Sequence, residues 1–397
     1  MTSETPKAQK ATEATETTEA RILARLSREA DELGRQHAEE LQRLDETRGA
    51  RRALELLGQA GLAAWMVPRV HGGADAGPLC PPETISVRAA CVLRQSLAYH
   101  SAMLDVMLVM QGLGSLALAR SAGPALARQW LGPVARAEAC AAFALTEPGA
   151  GSSLTDVALR ARRHGDAWSL NGHKTFISNA GVADFYSVLA RTAEEPRAFS
   201  MFCVPANAPG LRTERFEVLG PHPIGDVYFE DVRVPDSSRL GAEGAGLELA
   251  LAVLARMRTS VAAAANGFAR RACDESRRHL STREQFGKPL SAFQGLSFDV
   301  AEMDTRLRAA ELLVDEAALV VDRGGEGTLE VARAKLFATE NAGWVCDRAV
   351  QHFGGLGVKR GSAVEALYRD VRALRIYEGS SEVQKLILAK ELFRRST

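Results

Sequence analysis

Excess charge of either sign is missing from this chain, in which 49 lysines and arginines balance 49 aspartates and glutamates. Without a net field nothing global gathers nucleic acid or an anionic membrane surface, and neither is expected as a partner. Cysteines are few and far apart. Cys80, Cys91, Cys140, Cys203, Cys273 and Cys346 form no CxxC pair, so their spacing argues against zinc or a disulfide framework and for reduced, mostly buried thiols. No metal site is expected. No uninterrupted apolar stretch is long enough to cross a bilayer, and the N-terminus lacks the apolar segment of a secretory signal, which together point to a cytoplasmic chain without membrane insertion. Also missing are an internal repeat, alternating βαβ units and a GxGxxG after a strand, so any nucleotide cofactor is held by something other than a Rossmann domain.

What remains is 397 residues of ordinary globular composition, 46% hydrophobic and 25% charged, long enough for two or three domains or one composite unit. Residues 1–20 are Thr/Glu-rich with almost no large apolar side chains and read as a disordered tail. Residues 21–140 carry helical spacing, as in the Ala/Leu/Arg segments 50–59 and 116–130, broken at Val67-Pro68, Gly72-Gly73 and Pro81-Pro82. Over 141–240 short alternating or β-branched runs take over, and Asn171-Gly172 between two of them has the chemistry of a hairpin turn. Helical spacing returns over 241–397, where Val300, Met303, Leu307, Ala310, Leu313, Ala317 and Val320 share one face. The predicted order is a helical domain, a compact antiparallel β-domain and a second helical region.

Five segments carry candidate chemistry. Leu145-Thr146-Glu147-Pro148-Gly149-Ala150-Gly151-Ser152-Ser153 exposes N–H groups and hydroxyls suited to anionic or carbonyl oxygens, and equally suits a connector between domains. Phe176-Ile177-Ser178-Asn179 sets an aromatic plane beside a hydroxyl, as a cover for a flat heterocycle or as a half-buried strand end. Arg283-Glu284-Gln285-Phe286-Gly287-Lys288-Pro289-Leu290 offers a guanidinium fork for phosphate and a ring for stacking, or a polar loop closed by Gly and Pro. Gln351-His352-Phe353-Gly354-Gly355-Leu356-Gly357 lets backbone approach a pyrophosphate, or caps a helix, and His352 reads as packed. Last comes Arg375-Ile376-Tyr377-Glu378-Gly379-Ser380-Ser381-Glu382. Ser381 with Gln384 fits a capping box ahead of Val383, Leu386, Ile387 and Leu392 at helical spacing, so Glu378 lies in a pre-helix turn. Ile376 and Tyr377 offer an apolar wall that raises its proton affinity, and Gly379 admits a ligand closely; an exposed surface turn explains the same residues.

In this order and at these separations the five segments resemble the acyl-CoA dehydrogenase family of flavoproteins, over roughly residues 21–395. The resemblance implies a mainly α fold with a central β-domain: an N-terminal helical domain, a middle antiparallel β-domain and a C-terminal four-helix bundle. It also implies a homotetramer (dimer of dimers) or homodimer with FAD at the subunit boundary. By position, Leu145, Thr146, Gly151 and Ser152 line the flavin and pyrophosphate, Ser152 also lying near substrate, and Phe176 and Ser178 flank the isoalloxazine ring. Arg283, Phe286, Gln351, Gly354 and Gly355 meet the adenine-diphosphate end of a FAD held largely by the neighbouring subunit. Glu378 is the implied catalytic base, with Gly379 and Arg258 at the substrate and Ser380 at the cofactor. Some relatives carry the base just before the arginine equivalent to Arg258; here that position is Met257, which leaves Glu378 without a competitor.

The activity implied is dehydrogenation of a saturated acyl thioester to the trans-2-enoyl thioester. Glu378 removes the α-proton, the β-hydrogen leaves as hydride to flavin N5, and an electron-transfer flavoprotein takes the electrons. An α-hydrogen beside a thioester is a weak acid, so the base must be a desolvated carboxylate and the carbonyl oxygen needs donors for developing enolate charge. The chain departs from the family pattern at Phe176 (usually Trp), Ser153 (usually Asp), Ala255 (an acid in some members) and Lys390 (often Arg). The last two bear on the carrier portion, so an acyl-carrier-protein thioester in a biosynthetic pathway stands beside acyl-CoA as substrate. An acyl-CoA oxidase using oxygen is a further alternative. A catalytically idle flavin-binding relative is disfavoured by the retained Glu378, and a flavin monooxygenase by having no need of it.

Overall fold

The computed structural model describes residues 6–195 and 198–394. Five helices open the chain: α1 (Pro6–Gln42), α2 (Glu46–Gln59), α3 (Val87–His100), α4 (Ala102–Ser121) and α5 (Pro124–Ala135). Asp45, Ser86 and Ser101 begin α2, α3 and α4 by accepting an N–H three residues on. The tail expected to be disordered over residues 1–20 is helical from Pro6 onward, and residues 1–5 lie outside the described part. Its Ala, Glu, Lys and Gln residues are good helix formers, and Glu19 pairs with Arg88 of α3 at 2.6 Å, so the helix propagates outward from the packed turns at Leu26 and Ala30. The segment 116–130 is two helices, not one, because Pro124 opens α5 at a position where its missing N–H is harmless.

Eight strands follow: β1 (Ala141–Ala144), β2 (Arg160–His164), β3 (Ala167–Ser178), β4 (Phe185–Arg191), β5 (Phe199–Pro205), β6 (Leu211–Arg215), β7 (Ile224–Pro235) and β8 (Arg239–Leu240). They form one sheet in the order β6-β7-β3-β2-β4-β5-β8, with β1 also on β4. The sheet is mixed, not purely antiparallel as expected: β1 runs parallel to β4, and Arg160 of β2 pairs in parallel with Arg191. The physical reason is the β2–β3 hairpin, which intervenes before β4 and returns the chain to the same direction. The hairpin expected at Asn171-Gly172 is absent. β3 runs through that dipeptide with an irregular register, and the chain turns earlier, at Gly165-Asp166. A Cβ on Gly172 would lie 2.8 Å from the Leu159 Cα, so this glycine serves close backbone approach rather than a turn.

After the sheet come α6 (Gly246–Thr282), a small hairpin of β9 (Glu284–Gln285) and β10 (Lys288–Pro289), α7 (Gln294–Asp322), α8 (Thr328–Phe353), α9 (Ala363–Arg372) and α10 (Ser381–Arg394). Met303, Leu307, Ala310 and Ala317 of α7 are buried, as their common face requires. Helix α6 runs through two apolar cores: Val253 and Met257 pack with the N-terminal helices, and Val261 through Ala265 with α7 and α8. By length and composition α4 could cross a membrane, although Asp105, Gln111 and Arg120 interrupt its apolar run. Of its apolar window 83% is buried inside the protein, making it a core helix here. All six cysteines are buried and free.

Candidate active site

Glu378 occupies the turn between α9 and α10 in a left-handed conformation, φ +52, and Gly379 continues it at φ +92. A non-glycine residue holds such angles only where its surroundings insist. Three helices supply the insistence. From α6, Arg258 Nε donates to the Glu378 carbonyl at 2.9 Å; from α8, Lys335 Nζ donates to the Gly379 carbonyl at 2.8 Å; from α10, Gln384 Nε2 donates to that same carbonyl at 2.9 Å. Gly379 is required by its backbone angle, and a Cβ there would displace the Gln384 amide 2.6 Å away. The cap of α10 is one residue earlier than the capping box read from sequence. Ser380, not Ser381, accepts from the Val383 N–H at 3.4 Å, while the Ser381 hydroxyl turns away to Glu340.

The residue as a whole is half-exposed, yet its carboxylate is deep: Glu378 Oε2 is buried without a hydrogen-bond partner among the described residues. Burial pushes its pKa above the usual carboxylate range, opposed by the charges of Arg94, Arg258 and Lys335 and assisted by Asp105. Tyr377 packs against the bundle core, as the expected apolar wall, whereas Ile376 is 59% exposed and forms no wall. Beneath Tyr377 lies a fully buried pair that sequence reading missed. Arg94 of α3 clasps Asp105 of α4 through Nε and Nη2 at 2.7 and 2.8 Å and reaches the Ser260 hydroxyl of α6 at 3.0 Å. Part of its signal was present in Asp105, an acid set in the largely apolar α4. Burial brings Lys335 down to about 8, and this lysine too was missed.

A second set gathers on the sheet. The loop after β1 is fastened by a buried ion pair: Lys174 of β3 bonds Glu147 Oε1 and the Leu145 carbonyl, each at 2.8 Å, and Glu147 also accepts from the Ala158 and Leu159 N–H groups. Burial pulls Lys174 down to about 8, against the opposing pull of Glu147. The Thr146 carbonyl takes the Thr175 N–H at 3.0 Å. This leaves Gly151 and Ser152 exposed beside a rigid strand, with nothing within 4 Å of a Cβ built on Gly151. Phe176, at φ +54, is 60% exposed and meets Phe216 edge-on. Ser178 shares a hydrogen bond of 2.7 Å with His222 Nε2, and burial brings that imidazole down to about 4, so it is neutral.

The third set lies at the far end of the bundle. Arg283 caps α6, Phe286 tips the β9–β10 turn at φ +53 with 93% of its surface exposed, and Gln351, Gly354 and Gly355 close α8. The two helix ends meet through His279 stacked on Phe353 at 4.1 Å, and a Cβ on Gly354 or Gly355 would touch nothing within 4 Å. Arg283 and Arg258 sit at opposite ends of the C-terminal stretch of α6, about 37 Å apart at the rise of 1.5 Å per residue. No hydrogen bond or ring contact among the described residues joins the three sets. His352 is buried, its Nε2 3.2 Å from Asp299, and the Tyr99 hydroxyl donates to Asp274 at 3.0 Å.

Two strained, largely exposed phenylalanines beside open glycine loops fit a flat dinucleotide better than any packing role in this chain. Residues 142–232 match the model of the acyl-CoA dehydrogenase middle domain, and residues 244–393 that of the acyl-CoA dehydrogenase C-terminal domain. The chain belongs to the acyl-CoA dehydrogenase family. Cyclohexane-1-carbonyl-CoA dehydrogenase of Geobacter metallireducens is 33% identical over 345 residues, covering 86% of this chain and 89% of that protein. The 3-(aryl)acrylate reductase of Clostridium sporogenes is 39% identical over 272 residues, 67% of this chain and 72% of the relative. The CarC subunit of the caffeyl-CoA reductase-Etf complex of Acetobacterium woodii is 37% identical over 276 residues, at the same coverage. Among solved structures, butyryl-CoA dehydrogenase of Megasphaera elsdenii superposes with a TM-score of 0.87 at 28% identity, covering 94% of this chain and 98% of that one. The glutaryl-CoA complex of glutaryl-coenzyme A dehydrogenase gives 0.88 at 29%, covering 94% and 95%. The FAD complex of PigA gives 0.85 at 25%, covering 95% and 98%. This family member is an acyl-CoA dehydrogenase whose cofactor is FAD.

Proposed function

We propose that Glu378 is the base that removes the α-proton of a saturated acyl thioester, giving the trans-2-enoyl thioester. The observation that carries this reading is the buried, unpartnered Oε2 on a strained turn clamped from three helices. Such an oxygen keeps its lone pair free and its basicity raised, which a weakly acidic carbon requires. Gly379 leaves room for the substrate, and the cationic surroundings of Arg258 and Lys335 favour the anionic form of the base until the proton arrives. FAD, when bound, supplies the acceptor for the β-hydrogen as hydride. Leu145, Thr146, Gly151, Ser152, Phe176, Ser178 and Ser380 would hold it in this chain, with Ser152, Gly379 and Arg258 toward the substrate. Arg283, Phe286, Gln351, Gly354 and Gly355 would serve a flavin of a neighbouring subunit, within units divided at 140/141 and 240/241. An electron-transfer flavoprotein as acceptor is supported by the Etf complex in the name of the relative from Acetobacterium.

A second reading runs the same site backwards, with Glu378 returning a proton to the α-carbon of an enoyl thioester. It is favoured by the two relatives named as reductases. Anaerobic mixing of the flavoprotein with acyl-CoA and acyl-carrier thioesters tests the first reading. Flavin absorbance should bleach with at least one saturated thioester, and the bleaching should vanish in Glu378→Gln with FAD still bound. A mutant that bleaches at the wild-type rate removes Glu378 from the role. Reoxidation of reduced flavin by enoyl thioesters, measured in parallel, assigns the working direction.

A further inference from the structure

Lys335 is completely buried on α8, and among the described residues its one hydrogen bond goes to the Gly379 carbonyl, 2.8 Å away. No carboxylate oxygen of the described residues lies within ion-pair distance of its ammonium. That is an expensive state for a cation, since a buried ammonium is normally neutralised by a partner. The nearest compensation is electrostatic, from Glu378, whose own Oε2 also lacks a partner. The two charges meet at one turn, Lys335 reaching it from α8 and Glu378 lying within it, without being joined. The lysine holds the backbone of the turn and leaves the carboxylate open.

We propose that Lys335 is a positioning residue for the base: its ammonium clamps the left-handed turn through the Gly379 carbonyl and lends positive charge to Glu378 without occupying the oxygen that receives the proton. The inference rests on Glu378 being the base. A lysine placed directly on Oε2 would block it, whereas one residue further along the backbone it tempers the basicity that burial raises and leaves the oxygen open. The neutral amide of Gln384 shares the same carbonyl, so hydrogen bonding there does not need a charge; the ammonium adds one. The charged groups that face Lys335 are Glu378 on its turn, Arg258 from α6, Glu340 one helical turn along α8 and Glu382 at the start of α10. Burial, deepened by Arg258 and resisted by the three carboxylates, brings the ammonium down to about 8. The clamp therefore loses its charge as pH rises through about 8.

The test is the rate of anaerobic flavin bleaching at saturating thioester between pH 6 and 9.5, on the FAD-loaded wild type and on Lys335→Met, Lys335→Gln and Glu378→Gln. The wild type should slow above pH 8. Lys335→Met should retain FAD and bind thioester with little change, yet bleach about tenfold or more slowly with the alkaline limb gone. Lys335→Gln, which keeps a donor and drops the charge, should recover part of the rate but not the limb. A flat wild-type profile through pH 9.5, or Lys335→Met with the wild-type rate and limb, overturns the proposal, and the first of these needs no variant to fold. If Lys335→Met is unaffected while Glu378→Gln is dead, only the lysine's role fails. If Glu378→Gln bleaches normally, the base assignment itself fails, whatever the lysine variants do.

Discussion

At the scale of the residue, the site is marked by backbone strain. Only six non-glycine residues among those described have positive φ, and three of them are Phe176, Phe286 and Glu378, all singled out in the sequence as site residues. Their angles are held by surrounding structure rather than by their own preference, as functional positions often are. Glu378 carries an electrostatic cost as well. Because burial raises its folded-state pKa above the unfolded value, native protein holds that proton more tightly, and stability is lost as pH rises from the ordinary carboxylate range through the folded pKa. Glu378→Gln should therefore melt at a higher temperature than wild type at pH 7.5, with the gap closing near pH 4.5, in calorimetry on matched flavin-loaded samples. Lys174 behaves in the opposite sense to a paired surface lysine. Its pKa falls to about 8, so the unfolded chain binds the extra proton and stability contributed here rises with pH from about 8 toward the free lysine value near 10.4. Lys174→Met strands Glu147 in the interior and should lower stability by about 3 kcal/mol, with easier loss of FAD from the loosened 145–152 loop, read by denaturant unfolding and flavin fluorescence.

At the scale of the element, the lesson lies in Asn171-Gly172. The dipeptide has hairpin chemistry, but Gly172 is pressed against Leu159 and Asn171 accepts the Asp231 N–H at 2.9 Å, so tertiary contacts turn a turn signal into a bulge within β3. Gly172→Ala should cost about 2 kcal/mol, visible as a lowered thermal midpoint, since its Cβ cannot be placed without moving backbone. Strand β2 is likewise set by tertiary pairing rather than by local pattern. Its sequence Arg160-Ala161-Arg162-Arg163-His164 has one buried side chain, and nothing local distinguishes it from a polar loop. The helices were legible because α7 and α10 bury or present a stripe over many turns, which a period of 3.6 reveals.

At the scale of the whole molecule, α6 is the ruler. It sets Arg258 at the Glu378 carbonyl and Arg283 about 37 Å away, a span over which the two are expected to serve different flavins. A mixing experiment exposes this arrangement. Glu378→Gln and Arg283→Ala chains, each nearly inactive alone, should regain roughly a quarter of wild-type activity after subunit exchange, because half of random dimers are mixed and each mixed dimer holds one intact site. Recovery of no activity under proven exchange would show that Arg283 acts on its own chain's site.

The sequence by itself determined the order of helical, β and helical regions and the five chemical strings, and its resemblance to the family nominated Glu378 as the base, with Met257 at the alternative position. These depend on local periodicity and on residue identity. Only the tertiary structure decided what surrounds that glutamate. Arg258 reaches it from 120 residues earlier and Lys335 reaches its neighbour across 44, while Arg94 and Asp105 lie beneath it from two other helices. Such contacts follow from how helices cross, and no short-range pattern encodes where a buried cation will find its carbonyl.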